Sequence, residues 1–181
     1  MTATEPQPWT DPAWLAGAHA WIDAETAALG LVRDGGTTQP HVTSWATVIR
    51  VPTTTGPVWF KANTASLRHE AALVGLLADR APDQVSPLLA ADVARGWMLM
   101  ADAGDRLREL VPVERSLERW HPALDAVARV SLALEGDVDA LLALGVPDCR
   151  LTTLVAGYDA LMDEVGAAPR FREARAQVSD L

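Results

Sequence analysis

The chain has 181 residues, enough for one domain of ordinary size or for one domain and part of another. Apolar residues make up 49% and charged residues 22%, and 15 basic side chains face 24 acidic ones for a net charge of −9. That sign, with no cluster of Lys and Arg to displace counterions, argues against nucleic acid as a partner. No apolar run approaches the roughly 18 residues of a membrane-spanning helix. Met1 to Thr10 has neither the basic nor the apolar region of a signal peptide. The lone cysteine, Cys149, can build no internal disulfide and no zinc site, which points to the reducing cytoplasm. Fourteen of the basic residues are arginine, and the single lysine is Lys61.

Asp11 to Gly30 opens with an N-cap aspartate and Pro12 at the first helical position. It then places Trp14, Leu15, Ala18, Trp21 and Ile22 at helical spacing, with Gly30 as the stop. Residues 41–62, HVTSWATVIRVPTTTGPVWFKA, alternate β-branched and aromatic residues around PTTTG, which predicts a hairpin of two strands. A helix is predicted from after Ser66 to about Asp79, with Leu67, Ala71, Val74, Leu77 and Ala78 on one stripe. SPLLAAD and GWMLMAD, separated by Val93 to Gly96, predict a second hairpin. From about Glu114 the strand signals stop. Residues 114–145 read as a long helical pattern broken near Gly136, Leu151 to Gly166 as another helix, and Arg170 to Leu181 as a third.

Lys61 follows Val58, Trp59 and Phe60 on a strand that wants burial, and a lone buried ammonium is costly. Glu70 falls within the apolar stripe of the next helix. Two readings stand: the pair forms an ion pair, or Lys61 snorkels from an edge strand and Glu70 lies at the stripe margin, each meeting only water.

A strand pair, a lysine on its second strand, a helix with an inward glutamate, another strand pair and then helices is the order of a protein kinase small lobe leading into its large lobe. Within that class the chain resembles the aminoglycoside phosphotransferase family over roughly residues 20–165. Ser44, Ala46, Val48 and Arg50 match its Ser-x-Ala-x-Val-x-Arg run, and GWMLMADAGDRL is similar to its fifth strand and hinge. The resemblance implies an α+β, protein-kinase-like fold. Its parts are an N-terminal segment and helix over 1–30, an antiparallel small lobe over 31–102, and a hinge with the first helices of a helical large lobe over 103–181. It also implies ATP and Mg²⁺ as cofactors and a small hydroxylated acceptor as substrate. Lys61 would contact the α- and β-phosphates, Glu70 would hold Lys61, and the hydroxyls of Ser44 and Thr47 would add to the phosphate contacts. The backbone from Met100 to Asp102 would meet the adenine edge.

The sequence departs from that pattern in two places. Val42 stands where relatives carry a glycine before the serine. No histidine begins an H-x-D-x-x-x-x-N loop, so the resemblance implies a truncated kinase that lacks the catalytic base and the metal-binding aspartate. Asp137 and Asp139 in GDVDA read as a solvated helix start rather than a metal site. Trp45 at the loop tip reads as a lid residue or as packing, and most of the seven tryptophans read as packing. G-x-S-x-G, H-E-x-x-H and clustered zinc ligands are all missing from the sequence. Two alternatives remain. One is a noncatalytic nucleotide-binding or protein-interaction module that associates through Leu132, Leu134, Leu141 and Leu142, and the other is an unrelated α+β fold.

Overall fold

Asp11 starts the first helix: its Oδ1 accepts the N–H groups of Ala13 and Trp14, both at 2.9 Å, and Pro12 follows at the position that needs no donor. Helix α1 spans Pro12–Ala28. It ends as expected on Gly30, whose φ of +69° lets the N–H of Leu31 return to the carbonyl of Thr26 at 2.9 Å. The structure, a computed structural model, describes residues 7–165. They belong to two compact units, one running to Val146 and the other from Pro147.

Five strands follow α1 in the first unit: β1 (Thr38–Val42), β2 (Ala46–Val51), β3 (Val58–Asn63), β4 (Leu88–Asp92) and β5 (Trp97–Ala101). They form one antiparallel sheet in the order β1-β2-β3-β5-β4. Register fixes the faces. Thr47, Ala62 and Trp97 lie side by side, as do Ile49, Phe60 and Leu99, and this face packs on Ala18 and Ile22 of α1. Trp9, Trp14, Trp21 and Trp97 gather around Phe60 there, with ring centroids 5.1 Å apart for Trp9 and Trp14 and 5.5 Å apart for Phe60 and Trp97. Edge-to-face pairs of this kind add about 0.5–1.5 kcal/mol each beyond the area they bury.

Alternation sends Val48, Lys61 and Met98 to the opposite face. Helix α2 (Glu70–Arg80) lies against β4, and a 3-10 turn, Ala65–Leu67, precedes it. The predicted helix from Ser66 is therefore two pieces, with Leu67 outside the α-helical stripe. Helices α3 (Leu107–Glu114), α4 (Trp120–Ala133) and α5 (Val138–Ala143) complete this unit. Helix α6 (Leu151–Val165) belongs to the second. The described residues thus carry a five-stranded antiparallel sheet and six α-helices, an α+β fold.

The two predicted hairpins are β2–β3 and β4–β5, and α4 breaks from α5 around Gly136 as the pattern required. Two elements were not expected. Strand β1 contains Pro40, which reads against a strand, but β1 is an edge whose register shifts between Thr38 and His41, where a missing N–H costs little. Helix α3 contains Pro112 and closes on Arg115, which has a left-handed φ of +51°. The helix predicted from Arg170 to Leu181 lies outside the described residues.

The apolar residues proposed for association are only partly available. Leu132 is 71% exposed, whereas Leu134, Leu141 and Leu142 are half-buried. The exposed stripe of α4 consists instead of Trp120, Leu124 and Val127, spaced four and three residues apart.

Candidate functional site

Lys61 lies at the middle of the sheet, between Val48 of β2 and Met98 of β5, so its side chain cannot snorkel from an edge. Nζ donates to Glu70 Oε1 at 2.5 Å, with the two side chains 24% and 31% exposed. Of the two sequence readings, the ion pair is the one found. Helix α2 begins at Glu70, so the carboxylate also sits at the helix end that favours negative charge.

Lys61 opens on a cleft of about 530 Å³ walled by His41, Trp45, Val48 and Lys61 itself on the sheet side and by Arg106 and Arg108 from the start of α3. A second cavity of about 250 Å³ shares Val48 and Arg106 with it and is closed by Trp59, Met100 and Asp102. The two border each other through Val48 and Arg106, the smaller being mainly apolar and aromatic and the larger the more cationic. No sequence pattern pointed to Arg106 or Arg108, since RLRE matches no motif.

Several expected residues take other roles. Thr47 is fully buried on the α1 face, where its hydroxyl donates to the His41 carbonyl at 2.9 Å and accepts from Gln39 Nε2 at 2.8 Å. It is the second residue of β2, and alternation turns it away from Lys61. Ser44 stays exposed in the β1–β2 turn. That turn needs no glycine. Thr43 closes it by accepting from Ala46 N–H at 3.1 Å and donating its own N–H to the Ala46 carbonyl at 2.9 Å. Among the described residues only Arg115 carries a positive φ without being glycine. Trp45 does not pack: it is 55% exposed and stands over the cleft.

Met100 is held inside the ladder between Trp59 and Leu88, so its side chain lines the smaller cavity. The next residue is spoken for, because the Ala101 N–H reaches the Pro87 carbonyl at 2.9 Å and its carbonyl accepts from Ser86 Oγ at 2.8 Å. The backbone free to meet a ligand edge therefore runs from Asp102 to Gly104. The Asp102 carboxylate accepts the Trp59 indole N–H at 2.7 Å.

Asp137 does precede a helix, but it is not simply solvated. Arg80 at the end of α2 donates to both its oxygens, at 2.6 and 3.1 Å. That hydrogen bond, with the guanidinium charge beside it, lowers the Asp137 pKa against a smaller opposing effect of desolvation. Among the described residues no group of three or more His, Cys, Asp or Glu could hold a metal ion. Cys149 is exposed and free.

No helix among the described residues is long and apolar enough to cross a membrane. No family model matches the chain, and no curated protein and no solved structure matches it.

Proposed function

We propose that the sheet, α2 and α3 form the nucleotide-binding half of a kinase-like phosphotransferase similar to the aminoglycoside phosphotransferase family, with ATP as the nucleotide. The observation that carries this reading is Lys61, held by Glu70 at 2.5 Å, on the wall of a cationic cleft that borders an aromatic cavity through Val48 and Arg106. The base would lie against Val48, Trp59 and Met100, and the phosphates beside Lys61. On a strand two residues span about 7 Å, which suits a base at Trp59 and a phosphate at Lys61.

The parent reaction moves the γ-phosphoryl group to a small-molecule hydroxyl. The acceptor oxygen bonds to phosphorus, the bond to the β-phosphate oxygen breaks, and the hydroxyl proton passes to a base. The 181 residues hold no H-x-D-x-x-x-x-N segment to supply that base, and the described ones hold no acidic cluster for Mg²⁺. The chain therefore binds nucleotide without transferring phosphate. Calorimetric titration with ATP tests the first half, and MgATP turnover over a panel of hydroxylated acceptors tests the second. Absence of ATP binding would sink the binding assignment, and robust transfer would sink the claim of inactivity.

The exposed stripe on α4 supports a second reading, a protein-interaction module that docks a partner or a second copy through Trp120, Leu124 and Val127. A clean monomer by light scattering at high concentration counts against it.

A further inference from the structure

We infer that Arg106 and Arg108 form a second phosphate contact facing Lys61, which takes the terminal phosphates of a nucleoside triphosphate; this rests on the nucleotide reading above and adds residues to it. The first argument is charge. Glu70 already balances Lys61 at 2.5 Å, so that pair brings no net positive charge to a ligand carrying several negative ones. The remaining cations on the cleft wall are His41, when protonated, and the two arginines, in a chain whose net charge is −9.

The second argument is availability. Arg80, Arg95, Arg119 and Arg129 each hold a carboxylate at 2.6–2.7 Å. Arg108 has no hydrogen-bond or ion-pair partner among the described residues. Arg106 has only Glu109 at 3.4 Å, with side-chain exposures of 46% and 64%, a contact that contributes little in water. Both guanidiniums are free to take an anion. The third is backbone. Arg106 caps α3, and the carbonyl of Arg106 receives Glu109 and Leu110, which leaves the first-turn N–H groups of Leu107 and Arg108 without a backbone acceptor at the cleft wall. Two arginines and a helix start line the same cleft. Arginine's fixed geometry suits the paired oxygens of a phosphate.

The test is a titration of the full chain in metal-free buffer with adenosine, AMP, ADP, ATP and inorganic tripolyphosphate, repeated on the double variant R106Q/R108Q. Charge-assisted hydrogen bonds of this kind are each expected to change affinity about tenfold. In the parent, affinity rises from adenosine to ATP. In the double variant that rise collapses; Arg106 also borders the base cavity, so adenosine affinity is compared in the single variant R108Q, where it stays within about twofold of the parent. A thermal melt matching the parent's establishes that the double variant is folded. If the double variant keeps the full preference for ATP over adenosine, the inference is overturned. If neither adenosine nor ATP binds the parent but tripolyphosphate does, and the double variant loses it, the anion contact stands and the nucleotide reading falls. Binding of none of these ligands overturns both.

Discussion

Trp59 donates its indole N–H to Asp102 Oδ1 at 2.7 Å, which ties the aromatic two residues before Lys61 to the first residue beyond β5. The tie fixes one wall of the smaller cavity, since Trp59 alternates onto the same face as Lys61. Asp102→Ala releases the ring and Asp102→Asn retains an acceptor. The bond is exposed, so Asp102→Ala is expected to cost no more than about 1 kcal/mol of stability. Adenosine affinity, followed by tryptophan fluorescence, is expected to fall in Asp102→Ala and to hold in Asp102→Asn, with tripolyphosphate affinity unchanged in both. Equal adenosine affinity in all three proteins would remove Trp59 from the base site.

Lys61 and Glu70 are partly exposed, so their pairing contributes at most about 1 kcal/mol to folding. On the proposed nucleotide reading their effect on ligand binding is expected to be larger, because Glu70 holds the ammonium in place beside the cleft. Lys61→Ala and Glu70→Ala are each expected to weaken ATP, and the double variant to be little worse than either alone. Additive losses in a double-mutant cycle would mean that the two residues act separately.

Thr47 separates a structural role from a ligand role. Thr47→Val removes one of the two acceptors of the half-buried Gln39 amide, which keeps the Trp9 carbonyl, and also the donor to the His41 carbonyl, a loss of about 1 kcal/mol. Because the hydroxyl faces α1, ATP affinity of the folded variant is expected to equal the parent's. A variant of parental stability that binds ATP poorly would restore Thr47 to the site.

What the sequence revealed follows from how local each signal was. Lys61 and Glu70 were legible because each is a charge interrupting an apolar pattern whose period is set by its own element. That Thr47 faces α1 was not legible, because the boundary between loop and strand decides which face a residue takes, and a shift of one residue reverses it. Proline hid β1 and α3, since Pro40 and Pro112 are breakers whose cost is removed by an edge position and a short helix. Arg106 and Arg108 come beside Lys61 only through the path of the chain after β5, and nothing local in RLRE encodes that meeting.

Gly96 turns β4 into β5 with a φ of +67°, and a methyl there would stand 2.8 Å from Arg68 Cβ and 2.9 Å from Arg68 Cα. Backbone strain and a clash with main chain both oppose Gly96→Ala, with an expected cost of about 1–3 kcal/mol. Gly17 sits inside α1 with open space around it. Gly17→Ala is expected to gain about 0.5–1 kcal/mol from the better helix former. Urea unfolding of the two variants checks the opposite signs, and a neutral Gly96→Ala would mean that the turn and Arg68 move apart freely.

Asp148 and Asp137 give a pH dependence whose sign can be worked out. The Arg150 side chain, followed by its backbone N–H, hydrogen-bonds Asp148 and lowers its pKa from 3.8 to about 2. Arg80 lowers Asp137 in the same direction, again chiefly through the side-chain hydrogen bond. A carboxylate whose folded-state pKa lies below its unfolded value stabilises the fold above the unfolded pKa, and that contribution is lost as pH falls through the folded one. Both contributions are therefore complete at neutral pH and fade below about pH 4. NMR titration of the Asp148 carboxyl is expected to give a midpoint near 2 in the parent and one raised toward 3.8, without reaching it, in Arg150→Gln, which keeps the backbone N–H bond. Arg80→Gln is expected to raise the Asp137 midpoint and to flatten the acid limb of the melting curve. An unchanged Asp137 midpoint in that variant would show that the bond between α2 and the start of α5 does not persist in solution.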